Sequence, residues 1–179
     1  MANTIRYAFG DSSLGPFVAG LSERGLAFVG FDAGIDELEL QFPQAELVED
    51  PTAVGETVAQ LAALIDHPDA PVVIDLDLQG TDFERQVWNA LREIPPGATA
   101  TYGEIAARIG APRQARDVGE ACAANKLAVV VPCHRVVKKD GSISGYRWGV
   151  RRKRALLERE HKARFLQPAA ATLHGGAAS

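Results

Sequence analysis

Thr101-Tyr102-Gly103-Glu104-Ile105-Ala106-Ala107-Arg108-Ile109-Gly110-Ala111-Pro112 sets the fold of the second half of the chain. Thr101 precedes Glu104 by three residues, the spacing at which the two side chains satisfy each other's free backbone N–H groups, so a helix is predicted over 102–109. Gly110 ends it. Pro112, whose fixed φ suits a first helical turn, opens the next helix, predicted over 112–124. Two short helices joined by Gly110-Ala111 have the proportions of a helix-turn-helix, whose second helix docks on DNA. Many proteins that never touch DNA contain such a pair, so the motif alone leaves function open.

Working outward, the same capping box recurs at Thr81 and Glu84, and the helix it starts turns Val87, Trp88 and Leu91 inward before Pro95-Pro96-Gly97 stops it. A strongly basic helix is predicted over 150–162, and the Ala/Gly-rich stretch from Gln167 is expected to be disordered. Upstream, 5–9, 15–21 and 25–31 are short apolar runs, the last two separated by a Ser22-Glu23-Arg24-Gly25 hairpin turn. Helical spacing follows over 35–42 and 52–65, where Val58, Leu61, Ala62 and Ile65 share a face closed off by Pro68 and Pro71. Residues 72–78 read as a further strand or an extended segment. The expected fold is α+β: an N-terminal antiparallel sheet with helices over 1–79, a helical C-terminal domain over 80–166, and a tail over 167–179.

The net charge of −4 hides an asymmetry. Residues 1–82 carry 2 Lys/Arg against 15 Asp/Glu, a net of −13, whereas 83–179 carry 17 against 8, a net of +9. Only the local field matters at a contact surface, so an acidic chain is compatible with a nucleic-acid partner on its basic half. No stretch combines a basic start with a long apolar segment, and the 2 cysteines and 4 histidines show no zinc-finger spacing. A cytoplasmic, reduced protein without metal, cofactor or membrane contact is expected.

Chemistry concentrates in Val129-Val130-Val131-Pro132-Cys133-His134-Arg135-Val136-Val137. The valines carry the chain inside, and Pro132 restricts it just before the cysteine. A free thiol is mostly protonated at neutral pH, so a nucleophilic Cys133 needs a base. Side chains at neighbouring positions diverge, which makes a water relay to His134 more plausible than direct contact. His134 then needs an orienting group, for which Glu160 on the last helix is a candidate.

Pro132-Cys133-His134-Arg135-Val136 resembles the active-site signature of the O6-alkylguanine-DNA alkyltransferases. Tyr102-Gly103-Glu104-Ile105-Ala106, Ala115-Arg116-Asp117-Val118-Gly119, Ala121-Cys122-Ala123-Ala124-Asn125-Lys126 and Ser144-Gly145-Tyr146-Arg147-Trp148-Gly149-Val150 fall in that family's order and spacing. The resemblance is closest to the guanine-repair half of bacterial Ada proteins and is dense from about 80 to 162. It implies a ribonuclease H-like N-terminal domain and a winged-helix-like DNA-binding domain. It also implies a monomer that transfers the alkyl group of O6-alkylguanine in double-stranded DNA, with O4-alkylthymine as a second candidate substrate, to its own Cys133, after flipping the base out of the duplex.

The family pattern further assigns a Cys133–water–His134–Glu160 chain and makes Asn125 the link between recognition helix and active-site loop. Tyr102 would destabilise the target nucleotide and hydrogen-bond the purine. Arg116 would fill the gap in the stack, with Arg113, Ala115 and Gly119 on the DNA-facing side. Tyr146, Arg147, Trp148 and Val136 would wall the guanine pocket, and Arg135 would be architectural. Trp148 stands where some relatives have glycine, so a tight pocket, poorly reactive with benzylated guanine, is expected. Asp117 and Glu120 depart from the pattern, because acids on a recognition helix repel phosphate unless Asp117 pairs with Arg113 or Arg116. The alternatives are a DNA-damage-binding protein without chemistry and a Cys-His-Glu hydrolase. Cys133 argues against the first, and the DNA-facing blocks argue against the second.

Overall fold

The computed structural model describes residues 3–165. Three strands form a meander, β1 (Asn3–Gly10), β2 (Phe17–Leu21) and β3 (Leu26–Phe31), each pairing antiparallel to the one before. The Ser22–Gly25 turn closes through Ser22, whose backbone N–H and hydroxyl both donate to the Gly25 carbonyl. Helix α1 (Ile35–Gln41) then carries the chain across the sheet, and β4 (Ala45–Glu49) pairs parallel to β1, in the order β3-β2-β1-β4. The expectation of a purely antiparallel sheet is therefore corrected: the sheet is mixed. β3 and β4 run in the same direction, a connection a hairpin cannot make and a helical crossover can.

Helix α2 (Pro51–Asp66) starts on Asp50, whose carboxylate accepts from the Ala53 N–H, and buries Val54, Leu61 and Ile65 against the sheet. The other face packs Ile5, Tyr7, Val18 and Phe28 on Leu38 and Phe42. The predicted extended segment over 72–78 is pinned to β3 by Leu26, which donates to the Asp75 carbonyl and accepts from the Asp77 N–H.

Both capping boxes form. Thr81 opens α3 (Asp82–Arg92) and Thr101 opens α4 (Tyr102–Arg108). Gly110, at φ 77°, turns the chain toward α5 (Ala115–Ala123). This helix begins three residues later than predicted, because Pro112 and Arg113 form a turn closed by the Gln114 N–H on the Ala111 carbonyl. The Trp88 indole donates to the Ala121 carbonyl at 2.8 Å and ties α3 to α5. Strands β5 (Ala100–Thr101) and β6 (Val136–Val137) pair parallel, and α6 (Val150–Phe165) is the last element among the described residues. The expected tail over 167–179 lies outside the described residues. Among the described residues no helix is long and apolar enough to cross a membrane.

One hydrophobic cluster runs without a break from Phe17, Val29 and Phe31 in the sheet through Trp88 and Leu91 to Val118, Val131 and Cys133. The sheet is thus the platform on which the loop carrying the thiol is packed. Gly25 is critical to that platform, since it sits at φ 149° and a Cβ there would lie 2.5 Å from the Asp75 carbonyl oxygen. Gly25→Ala is expected to lower stability by about 1–3 kcal/mol, read as a lower urea midpoint with an unchanged slope.

Candidate active site

The thiol is presented by a loop under strain. Between α5 and Cys133, the Val29 N–H donates to Lys126 O and the Ala128 N–H donates to Val29 O, so the loop runs beside β3. Val129 is forced to φ 69°, a conformation that a β-branched residue adopts only when its surroundings impose it. A single turn of 3-10 helix, Cys133–Arg135, follows.

Asn125, 1% exposed, is the hub of this loop. Its side-chain oxygen accepts from the Leu127 N–H, and its amide donates to Val131 O at 3.0 Å, Leu127 O at 3.3 Å and Cys133 Sγ at 3.3 Å. Asn125, which follows α5, is thus bonded to the backbone of the loop and to the sulfur. Burial pushes the Cys133 thiol up to about 11, against the pull of the Asn125 amide and of Lys153 and Arg147 nearby. The thiol is therefore protonated at neutral pH.

His134 is fully buried, with Nε2 2.7 Å from Glu160 Oε2. A carboxylate only accepts, so Nε2 carries the hydrogen. Burial pushes the imidazole pKa down although Glu160 opposes it, which keeps the ring neutral. Nδ1 is then a bare acceptor, and it is buried with no hydrogen-bond partner among the described residues. Arg135 grips the same carboxylate, Nε to Oε1 at 3.0 Å and Nη2 to Oε2 at 2.9 Å, and also donates to the Ile94 carbonyl. Burial would raise the Glu160 carboxyl, but the hydrogen bonds from His134 and Arg135 outweigh it and hold it at about 2.

Cys133 opens on a cavity of about 420 Å³ lined by Tyr102, Gly119, Cys122, Ala123, Gly145, Tyr146 and Arg147. Small residues of α5 form one wall. The opposite wall is the loop before α6, where Arg147 donates to the Asn125 carbonyl and pairs with Glu37 of α1 at 2.7 Å. Tyr102 hydrogen-bonds Ser144. The structure brings Cys133, Tyr102, Gly119, Tyr146 and Arg147 together around one space, with His134, Glu160 and Asn125 behind it.

Two pocket assignments need correction. Val136 is fully buried in β6, paired with Ala100. Trp148 lies behind Tyr146, rings edge-on at 5.4 Å, under the Arg147 guanidinium at 5.2 Å. Neither lines the cavity, so Trp148 does not narrow it directly. Arg113 and Arg116 are exposed and Ala115 is half-buried. Arg116 precedes Gly119 by three residues and Ala123 by seven, which puts it on the same stripe of α5 as the cavity mouth. Asp117 and Glu120 line a separate groove with Thr81, Phe83 and Glu84, and Asp117 makes no ion pair among the described residues. Sequence reasoning missed Lys153, buried on α6 with its ammonium on Ser144. Its one signal was the shared stripe of Lys153, Leu156 and Glu160.

Residues 82–162 match the family model described as 6-O-methylguanine DNA methyltransferase, DNA binding domain. The chain is 43% identical over 156 residues to the methylated-DNA–protein-cysteine methyltransferase of Mycobacterium tuberculosis, covering 87% of this chain and 92% of that one. It is 46% identical over 160 residues to the bifunctional transcriptional activator/DNA repair enzyme Ada of Escherichia coli, covering 87% of this chain but 45% of Ada. It thus spans about half the length of the Ada relatives it matches. The crystal structure of Mycobacterium tuberculosis OGT in complex with DNA superposes with a TM-score of 0.78 at 39% identity, over 88% of this chain and 94% of that one. The chain belongs to the methylated-DNA–protein-cysteine methyltransferase family.

The Glu160 carboxylate generates a stability prediction. Its folded pKa of about 2 lies below the ordinary glutamate value, so its contribution is complete above about pH 4.5 and is lost as pH falls toward 2. Glu160→Gln is expected to cost about 3 kcal/mol at pH 7. The gap from wild type should shrink in urea unfolding at pH 3; an equal gap at both pH values would contradict the assignment.

Proposed function

We propose that this protein moves the alkyl group of O6-alkylguanine in double-stranded DNA onto Cys133, once and irreversibly. The observation that carries this reading is a buried thiol that opens on a cavity walled by Tyr102, Gly119, Tyr146 and Arg147 and is followed in the chain by a histidine whose ring a carboxylate holds, leaving Nδ1 bare. The names of the relatives, and the DNA in the structure of one of them, point to the same substrate class.

A buried thiol cannot reach a base inside a duplex, so the guanine must rotate out of the stack, at a cost of a few kcal/mol. In this reading Arg116, exposed at the cavity mouth, fills the space the base leaves, and Arg113, Ala115 and Gly119 let α5 approach the groove. Cys133 Sγ attacks the alkyl carbon in line, the S–C bond forming as the C–O6 bond breaks. The thiol proton passes through a water to His134 Nδ1. Glu160, already accepting from Nε2, stabilises the imidazolium that results. The electron pair of the broken bond goes to the purine, whose charge meets a hydrogen bond from Tyr102, and solvent later neutralises the released base. The product is a thioether, which water does not hydrolyse at a useful rate, so no second turnover follows.

We read the chain as acting as a monomer, without a cofactor, with a ribonuclease H-like first half and a winged-helix-like second half. The test is intact mass after incubation with duplex DNA carrying one O6-methylguanine, for wild type and Cys133→Ser. The expected result is one methyl gained by wild type alone, saturating at one per protein. Tight binding without mass gain would make the protein a damage-binding module instead.

A further inference from the structure

Among the described residues, two buried side-chain polar atoms have no hydrogen-bond partner: His134 Nδ1 and the Tyr146 hydroxyl. Their rings meet edge-on with 6.4 Å between centres. Tyr146 and Cys133 line one cavity, and His134 follows Cys133 in the same 3-10 turn. The two bare atoms are complementary. His134 carries its hydrogen on Nε2, toward Glu160, so Nδ1 only accepts, whereas a phenol hydroxyl donates. Burial pushes that hydroxyl well above the ordinary tyrosine range, so it keeps its hydrogen. The Val129 N–H lies near the Tyr146 oxygen, but it only donates and leaves the hydroxyl hydrogen without an acceptor. Buried polar atoms are rarely left bare, and a bridging water satisfies two of opposite character beside a cavity.

From this geometry we propose that the Tyr146 hydroxyl holds the relay water between Cys133 and His134, making Tyr146 a positioning residue for activation of the thiol. The inference rests on the alkyl-transfer reading. The water accepts from Tyr146 and from the Cys133 S–H, one lone pair for each, and donates one hydrogen to Nδ1. Three partners fix its orientation before the damaged base arrives. As Sγ attacks the alkyl carbon, the thiol proton moves to the water and a hydrogen of the water moves to Nδ1. The water is thereby regenerated, and Tyr146 keeps its proton throughout. Without the hydroxyl the water loses an anchor, and its hydrogen is no longer directed at Nδ1. The two tyrosines of the cavity then divide the work, Tyr102 serving the departing purine and Tyr146 the nucleophile.

Two readouts test it in wild type, Tyr146→Phe and Tyr102→Phe: single-turnover rates on O6-methylguanine duplex, and nitrogen-15 spectra of the free, histidine-labelled protein. Tyr146→Phe keeps the ring and therefore the cavity wall. It is expected to slow the saturating rate about tenfold, with the Kd for DNA unchanged and the urea midpoint unchanged or raised. The His134 Nδ1 resonance should move downfield in this variant, as the nitrogen loses the hydrogen bond from the water. Tyr102→Phe removes a hydroxyl from the same cavity, and it should slow transfer yet leave that resonance in place. An unmoved Nδ1 resonance in Tyr146→Phe, an equal movement in Tyr102→Phe, or a loss that falls on Kd instead of the rate would overturn the role of Tyr146 while leaving alkyl transfer standing. No transfer by wild type would remove the functional reading itself.

Discussion

Glu160 Oε2 accepts from His134 Nε2 and from Arg135 Nη2, and the placement of the thiol depends on those contacts. Cys133, His134 and Arg135 form one turn of 3-10 helix, and two of its three side chains are fastened to a single buried carboxylate on α6. Removing one partner from such a buried group leaves an uncompensated charge, so the arrangement holds as a unit. Geometry and electronics follow together. The carboxylate fixes the ring orientation, and by accepting at Nε2 it leaves Nδ1 as the acceptor. Glu160 therefore holds the turn in place and sets the tautomer of His134 in the same contact.

Around this anchor, Asn125 and Arg147 close the cavity. Asn125 ties α5 to the loop through its amide nitrogen, whose two hydrogens face Val131 O, Leu127 O and Cys133 Sγ, and through its oxygen, which accepts from Leu127; its backbone carbonyl is held by Arg147, which reaches to Glu37 on α1. The acidic first half thus takes part in the site, because the Glu37 carboxylate braces the Arg147 side of the pocket wall. On α5, the cavity stripe carries glycine and alanine while Asp117 and Glu120 line another groove.

Local features were legible in the sequence. Both capping boxes and the hairpin turn at Ser22–Gly25 form as read, because each depends on contacts within a few residues, whereas α5 starts at Ala115 and not at Pro112. His134 and Glu160 meet across 26 positions, a pairing that the resemblance to the family implied and local spacing did not. Non-local choices were not legible. Nothing in Ala45–Glu49 says that it pairs parallel to β1, since that register is decided by a strand forty residues earlier. Trp148 was placed in the pocket wall by its neighbours in the motif, whereas its ring packs behind Tyr146. Lys153 reads as a solvated charge on a basic helix, and only the packed α6 shows that it is buried.

The claim on which the account turns is that His134 waits as a neutral ring with its hydrogen on Nε2 and its bare Nδ1 free to receive the thiol proton. Nitrogen-15 NMR of histidine-labelled protein at pH 7, with His134 assigned by comparison with a His134→Gln sample, reads this directly. The account predicts a neutral imidazole with a protonated Nε2 and an unprotonated Nδ1. A proton on Nδ1, or an imidazolium at that pH, would contradict it.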